Sequence, residues 1–240
     1  GLESSCGVRR HLERKGVGFA AGAGIVVPLV PCAVIYDLSI GKSGVRPTRE
    51  SGEAAARAAT NAAVAEGAVG AGTGATVGKL FGIQRAMKSG IGSSTVWLDG
   101  PYAGIRVAAL AVVNAFGDVI DPETGRIAAG ARRSATSLDF ADTALELKSG
   151  ARGGFRWTNT TLVAVATNAM LNKVGATKLA QQASAGMART LRPAWTVHDG
   201  DLTIALCCGE EKADITSLGV AAAEAVEQAI LRAVRMAPSM

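Results

Sequence analysis

Aromatic residues and histidine are scarce in this chain, and their scarcity argues against several kinds of site. Phe, Trp and Tyr make up 4% of the 240 residues, and the two histidines are His11 and His198. Neither histidine belongs to a Ser/His/Asp arrangement of the kind used by serine hydrolases. The net charge is +5, but Lys and Arg are scattered among acidic residues, with no basic run and no interleaved aromatics. The sequence therefore argues against nucleic-acid binding.

Cysteine is also sparse, and its spacing indicates neither a metal site nor a disulfide framework. The cysteines are Cys6, Cys32, Cys207 and Cys208. Their spacing matches no zinc pattern, and the adjacent pair Cys207–Cys208 makes a poor disulfide framework. We expect reduced, buried thiols in a cytoplasmic protein that needs no metal and no cofactor.

One stretch lacks charge altogether, between Lys15 and Asp37, and such a stretch could suggest a membrane span. Pro28 and Pro31 interrupt it and glycine recurs, so a loop and a buried strand at 25–38 are favoured instead. No signal peptide is visible. The chain begins at Gly1 without Met, and we expect a processed product or a fragment that binds no membrane.

The remaining sequence is rich in Gly and Ala and mixes helical with strand patterns. Mean hydropathy is +0.25, which suits closely packed layers with small residues at the contacts. The patterns predict a layered α/β protein, with 117–126 as a turn and 127–156, polar and without periodicity, as a linker. Predicted helices cover residues 2–15, 51–67 (capped by Ser51), 173–191 and 216–235, and predicted strands cover 94–98, 106–115, 161–167 and 202–208.

A polar cluster, "WTNTTLVAVATN" at 157–168, runs directly into the predicted strand 161–167. Three interpretations are open: a plain start of a strand, an N-x-[ST] glycosylation acceptor, or a bond that the protein cuts in itself. In the third, the Thr160 hydroxyl attacks the Asn159 carbonyl, and water then releases a chain that begins at Thr160. The freed amine, with an ordinary pKa near ~7.7–8.0, can act as base for its own side chain.

The glycine-rich stretch at 67–79, "GAVGAGTGATVGK", resembles a phosphate loop but does not match one. Thr73 occupies the first glycine position of the P-loop pattern, and Leu80 follows Lys79. A relaxed dinucleotide fingerprint is present in the letters, but a predicted helix precedes it where a strand is required. Lys79 is the ionisable group here, either solvated or held by the glycines beside a reacting centre.

Two further polar positions lie at the ends of apolar strands. Asn114 ends the predicted strand 106–115, as a turn residue or as an amide donor to an oxyanion. Asp199 and Asp201 flank Gly200 before the strand 202–208, as a hairpin turn, a weak metal candidate, or two carboxylates that hold an ammonium.

Taken in order along the chain, these stretches resemble the successive blocks of the DmpA-type aminopeptidase family, which includes β-aminopeptidases and the nylon-oligomer endo-hydrolase. The blocks are "VVPLVPCAVIYDL", "GAVGAGTGATVGK", "GIGSST", "AVVNAFGDVIDPETG", "NTTLVAVATNA" and "RTLRPAWTVHDGDLTIAL". The resemblance implies a four-layer αββα sandwich that cleaves itself once into two subunits that stay together. It makes residues 1–159 an α-subunit portion, without the family's N-terminal strands, and 160–240 the β subunit, together one domain.

The resemblance also assigns roles to single residues. Thr160 matches the nucleophile and Asn159 the residue before the cut. Lys79, Asn114 and the pair Asp199–Asp201 match the active-site groups of the nylon-oligomer hydrolase, and Tyr36 matches a tyrosine of the aminopeptidase pocket. The aminopeptidase branch has Ser-Gly-Glu in place of Asp199-Gly200-Asp201, which tilts the match toward the nylon-oligomer branch.

The resemblance implies an amide-bond hydrolase that acts on peptides or 6-aminohexanoate oligomers and forms homo-oligomers of cleaved heterodimers. An L-aminopeptidase or β-aminopeptidase is an alternative. An acyltransferase of the ornithine-acetyltransferase kind would pass its acyl group to an amine instead of water. An uncleaved, non-catalytic domain would leave Thr160 as a strand residue only.

Overall fold

A computed structural model describes residues 1–151 and 159–238 of the chain. The chain forms two compact units, of which the first comprises Gly1–Val34 and Gly41–Ala63, and the second Ile35–Ile40 and Val64–Met240. Every sequence-predicted site residue belongs to the second unit.

The first unit contains two helices and a short hairpin, in the order α1 (Ser4–Arg14), β1 (Phe19–Gly22), β2 (Ile25–Val27) and α2 (Arg49–Ala58). The prediction of a buried strand at 25–38 is wrong, because only 25–27 form a strand and its ends are exposed. The predicted cap is also displaced: Thr48 caps α2 by accepting from the Ser51 N–H, and Ser51 reciprocates as the third helical residue. The helix ends at Ala58, well before Gly67.

The second unit carries the remaining elements, and its two long helices and its longer strands follow the sequence predictions closely. They are β3 (Thr76–Val77), β4 (Met87–Lys88), β5 (Ile91–Trp97), β6 (Arg106–Asn114), β7 (Asp118–Ile120), β8 (Ile127–Ala129), α3 (Thr143–Lys148), β9 (Thr160–Ala169), α4 (Lys173–Thr190), β10 (Leu191–Arg192), β11 (Leu202–Glu211) and α5 (Ile215–Arg235).

The central sheet has four strands in the order β11-β9-β6-β5. Strand β9 is antiparallel to β6 and parallel to β11, and β5 is antiparallel to β6. The second unit also contains a three-stranded sheet in the order β10-β7-β8 and the hairpin β3-β4. The predicted mixed α/β class is confirmed.

The core lies between one face of the central sheet and helices α4 and α5. Alternate residues of β9 face this core, as expected for a strand with one covered side: Thr161, Val163, Val165, Thr167 and Ala169. Small residues let the layers approach closely. A Cβ at Gly92 of β5 would lie 2.1 Å from the Ala229 carbonyl oxygen of α5, and one at Gly186 of α4 would lie 2.2 Å from the Ala223 carbonyl oxygen. The high Gly and Ala content thus has a packing explanation.

The predicted linker, 127–156, contains regular structure in its described part. β8 pairs with β7, and α3 follows at Thr143–Lys148, while residues 152–156 lie outside the described residues. The segment is held by a buried carboxylate, since Asp118 accepts from the Ala131 N–H at 2.8 Å and the Thr143 N–H at 2.6 Å. Burial raises the pKa of Asp118. Because hydrogen bonds to Asp118 hold this segment, its sequence shows no apolar periodicity. The sequence pattern therefore suggested a linker.

The cysteines are unpaired, but the expectation that they are buried is wrong. Cys32 and Cys208 are exposed, and Cys6 and Cys207 are half-buried. Within the described ranges, none of the helices is long and apolar enough to cross a membrane.

Candidate active site

Thr160 lies at the start of β9, opposite the last residue of β6. The register of the two antiparallel strands pairs it directly with Asn114. Asn114 is fully buried and Thr160 is half-buried. Directly opposed residues in such a pair have their Cβ atoms about 4.5–5.5 Å apart, so the candidate nucleophile and the candidate amide are neighbours.

The bond between Asn159 and Thr160 is surrounded by hydrogen bonds. The Thr160 hydroxyl donates to the Asn159 carbonyl oxygen at 2.5 Å, and the Gly200 N–H donates to the same oxygen at 2.9 Å. The Asn159 side chain donates through Nδ2 to the His198 carbonyl at 3.1 Å. Asn159 is 4% exposed, which argues against the glycosylation interpretation. The carbonyl of this peptide bond is therefore held and polarised beside a hydroxyl.

Lys79 contacts the same strand end. Its Nζ donates to the Asn114 carbonyl at 2.9 Å and to Asn114 Oδ1 at 2.7 Å. Burial lowers the pKa of the Lys79 amine to about 7, although the charges of Asp199 and Asp37 act in the opposite direction. The amine therefore changes protonation near neutral pH, where an ordinary lysine stays charged.

Gly78 allows the segment that carries Lys79 to pack closely against the turn after β6. Gly78 donates to the Gly117 carbonyl at 2.9 Å and Lys79 donates to the Phe116 carbonyl at 3.0 Å, so the segment runs against the turn after β6. A Cβ at Gly78 would lie 2.0 Å from the backbone of Gly130, and its φ is +69°. Both the close approach and the backbone angle require glycine. Lys79 is therefore a largely buried lysine and not the solvated one that the sequence left open.

The Asn114 amide is itself fixed on both sides. Its Oδ1 accepts from the Thr76 N–H at 3.1 Å as well as from Lys79, and its Nδ2 donates to the Tyr36 carbonyl at 3.1 Å. The structure thus brings Tyr36 to the site through its backbone, while Tyr36 as a whole is 50% exposed.

The two aspartates brace the loop that precedes β11. Asp199 accepts from the Phe116 N–H at 3.2 Å and from the Thr196 hydroxyl at 2.6 Å. Asp201 accepts from the Thr161 N–H at 2.6 Å and the Trp195 N–H at 3.0 Å. Burial raises the pKa of Asp201, and the charge of Asp199 raises it further. Both carboxylates are thus engaged by neighbouring donors, and Asp201 also holds the residue after Thr160 in place.

Sequence reasoning missed two residues of this site. Gly200 received no role, although it lies between the two aspartates and its N–H contacts the Asn159 carbonyl. Asp37 was also missed: its carboxylate lies against Gly74, where a Cβ would come within 2.3 Å of Oδ2, and its charge acts on Lys79 and Lys88. Its position beside Tyr36 was the available signal. Among the described residues, no group of three His, Cys, Asp or Glu side chains is arranged to hold a metal ion.

Solved structures with the same architecture define the class of protein. The chain superposes on the PH0078 protein of Pyrococcus horikoshii with a TM-score of 0.67 at 25% identity, covering 100% of this chain and 63% of that one. A Burkholderia sp. β-aminopeptidase matches with a TM-score of 0.58 at 27% identity, covering 96% and 64%. The L-aminopeptidase D-Ala-esterase/amidase of Ochrobactrum anthropi, a variant of the N-terminal nucleophile hydrolase fold, matches with a TM-score of 0.58 at 20% identity over 82% of this chain and 52% of that one. The fold is that of the N-terminal nucleophile hydrolases.

Residues 3–240 match the model of peptidase family S58, and the chain belongs to that family. A Mycobacterium leprae protein named as an uncharacterized aminopeptidase is 38% identical, over 100% of this chain and 70% of its own length. A 6-aminohexanoate-oligomer endohydrolase of a Kocuria strain is 29% identical, over 98% of this chain and 68% of its own length. The chain thus spans about 70% of the M. leprae relative and less than two thirds of the solved chains.

Proposed function

We propose that this protein cuts its own Asn159–Thr160 bond and then hydrolyses amide bonds with Thr160 as nucleophile. The observation that carries the proposal is the Thr160 hydroxyl at 2.5 Å from the carbonyl oxygen of the preceding residue, at the half-buried start of β9. Membership of a peptidase family supports an amide bond as the target.

The self-cleavage is an N-to-O acyl shift followed by hydrolysis. Thr160 Oγ1 attacks the Asn159 carbonyl carbon, and the carbon–nitrogen bond to Thr160 then breaks to leave an ester on Oγ1. Water attacks that ester and releases the Asn159 carboxylate and the Thr160 hydroxyl. Thr160 is left with a free α-amine, which the uncut chain does not have.

Lys79 is the base for the first step. In the uncut chain the Thr160 nitrogen is an amide and cannot accept the proton, so another group must do so. A neutral amine has two N–H groups and one lone pair, and Lys79 directs two hydrogen bonds to Asn114, which is paired with Thr160. With a pKa of about 7 the amine is available as a base at neutral pH. The proton then passes to the Thr160 nitrogen as it leaves.

In the mature enzyme the Thr160 amine becomes the base for its own hydroxyl. Lys79 in its charged form keeps the pKa of that amine low. The Asn114 amide stabilises the oxyanion of the substrate. Asp199 and Asp201 orient the new ammonium group or bind a substrate amine.

The substrate is a small amide or peptide with accessible amide bonds. A peptide N-terminus is favoured by the name of the M. leprae relative, and a 6-aminohexanoate oligomer by that of the Kocuria relative. We also propose that the cleaved heterodimers form homo-oligomers, as the resemblance implies. The unpaired cysteines support a reducing compartment such as the cytoplasm.

The test of self-cleavage is intact mass under denaturing conditions. The parent is expected to give two pieces that divide between Asn159 and Thr160. Thr160→Ala is expected to give one uncut chain because no hydroxyl remains. Thr160→Ser, which keeps a hydroxyl, is the matched control and is expected to cut. An Ala variant that is processed like the parent would show that the cut is made elsewhere or by another protease.

A further inference from the structure

We infer that the backbone N–H of Gly200 is the oxyanion donor for the self-cleavage step. This inference rests on the proposed function and adds a catalytic group to it. The reacting atom is the Asn159 carbonyl oxygen, which accepts the Gly200 N–H at 2.9 Å. That distance lies within the range of oxyanion-hole donors.

The charge that develops during the attack explains why this bond matters. In the uncut chain, the Asn159 oxygen accepts hydrogen bonds from both Thr160 Oγ1 and the Gly200 N–H. When Oγ1 loses its proton and bonds to the carbonyl carbon, it no longer donates, and the electron pair of the double bond moves onto the oxygen. The Gly200 N–H remains directed at that oxygen and interacts more strongly with the negative charge than with the neutral carbonyl.

The donor is held rigidly before the reaction. The residues on either side of Gly200 are fixed, because Asp199 accepts from the Phe116 N–H and the Thr196 hydroxyl, and Asp201 accepts from the amides of Thr161 and Trp195. Asn159 and Asp199 also form a parallel β-bridge. A donor that needs no rearrangement as the charge forms is the kind that contributes most to an oxyanion hole.

The identity of residue 200 follows from its contact with the nucleophile. A Cβ at this position would lie 2.9 Å from Thr160 Oγ1 and 3.8 Å from the Asn159 carbonyl oxygen. Any side chain would therefore push the hydroxyl away from the carbonyl it attacks. Gly200 lets its backbone N–H contact the Asn159 carbonyl oxygen and leaves room for Thr160 Oγ1. The aspartate pair thereby has a second role, which is to hold the glycine between them.

A purely structural role for this bond is the alternative, since parallel strands make such bonds along their whole length. The two roles are separated by replacing the N–H alone. In cell-free translation of the full chain, glycolic acid at position 200 exchanges the amide for an ester and removes the donor without adding atoms. The matched control is glycolic acid at position 67, where the Gly67 N–H donates to the Ile91 carbonyl at 2.8 Å.

The measurement is the rate at which the uncut chain disappears on denaturing gels, together with a thermal melt. Loss of one oxyanion donor is expected to slow cleavage by about a hundredfold to a thousandfold at position 200. The chain with the ester at position 67 is expected to cleave itself at the parental rate, and its melting temperature is expected to fall by a similar amount to that of the position-200 ester. Equal cleavage rates for the two esters would overturn the inference while leaving self-cleavage intact, whereas an uncut parent would refute the proposed function itself.

Gly200→Ala tests the contact independently of the ester chemistry and covers the case in which the ester chain does not fold. We expect tenfold or slower cleavage in a folded protein, because the added methyl displaces Oγ1. Gly44→Ala is the control, since a Cβ there meets nothing within 4 Å. A Gly200→Ala chain that matures at the rate of the Gly44→Ala chain would show that residue 200 does not lie against the reacting atoms, and the inference would fall.

Discussion

Lys79 shows at the scale of one residue how the fold changes the acidity of an ordinary side chain. An amine costs free energy to bury in its charged form, and the pKa falls from 10.5 to about 7 as a result. The two hydrogen bonds to Asn114 compensate part of that cost and hold the amine at the end of β6, where Asn114 is paired with Thr160.

The stability of the protein should depend on pH through this residue. Between pH 7 and 10.5 the unfolded chain binds a proton at Lys79 that the folded chain does not, so the lysine makes folding more favourable as pH rises. Below pH 7 Lys79 is protonated in both the folded and the unfolded chain, and the full free-energy cost of burying its charge destabilises the folded state. Lys79→Met removes the titration, so its melting temperature relative to the parent should be highest below pH 7 and should fall toward pH 10. The slope is at most about 1.4 kcal/mol per pH unit.

Thermal melts across pH 6–10, with Thr160→Ala in both proteins so that neither is cut, provide the check, and self-cleavage rates of the proteins that keep Thr160 provide a second one. The parent should cut more slowly as pH falls below about 7, because Lys79 becomes protonated and loses its lone pair. Lys79→Met should cut slowly at every pH. If stability depended on pH in the same way in the two proteins, Lys79 would be a solvated lysine without a role.

At the scale of elements, the site depends on how closely α5 lies on the central sheet. Gly92 of β5 faces the backbone of Ala229 and Ala233 in that helix. Glu66 adds a polar link, since its carboxylate accepts from Arg232 of α5 at 2.8 Å and from the Ser93 N–H of β5 at 2.7 Å. Arg232 lowers the pKa of Glu66 to about 2. Helix α5 thereby fixes the position of the central sheet, which carries Asn114 and Thr160.

Gly92→Ala should loosen this contact. A Cβ would lie 2.1 Å from the Ala229 carbonyl oxygen and 2.4 Å from the Ala233 nitrogen, and backbone atoms of a packed helix cannot move aside cheaply. We expect a loss of about 1–3 kcal/mol in the free energy of unfolding, measured by urea denaturation. Gly44→Ala again serves as the control, and an unchanged midpoint for Gly92→Ala would show that a methyl group fits between β5 and α5.

At the scale of the whole molecule, the proposed cut divides the central sheet between two chains. Strand β9 would begin the second chain, yet it lies between β6 of the first chain and β11 of its own. Its pairing with β6 extends from Thr160 opposite Asn114 to Thr167 opposite Val107, and α5 packs against both β5 and β6. Neither piece can bury its share of the core without the other.

The two pieces should therefore remain associated after cleavage. Native mass spectrometry of the mature protein should show both pieces in one particle, and separation should require denaturant at concentrations that also unfold the sheet. The Thr160→Ala chain provides the uncut reference. Pieces that separate on native gel filtration would show that the core does not cross the cleavage point.

The sequence by itself determined the elements with long, regular patterns and the residues with unusual chemistry. The strands β6, β9 and β11 and the helices α4 and α5 were predicted from periodicity. Thr160 and Asn114 stood out as polar residues at strand ends and Lys79 as the ionisable group of the glycine-rich stretch, and the family resemblance assigned their roles. Short strands such as β7 and β8 were missed, since three residues carry no measurable alternation.

Only the tertiary structure decided which groups meet. The register between β6 and β9 pairs Asn114 with Thr160, and the loop before β11 brings the Gly200 N–H to the Asn159 carbonyl from 41 residues away in the chain. The low pKa of Lys79 likewise depends on burial by segments that are distant in sequence. The local sequence sets the backbone preferences of each element, but contacts of this kind arise from the packing of distant segments. Since every residue except proline has a backbone N–H, the sequence does not indicate which glycine N–H acts as a donor.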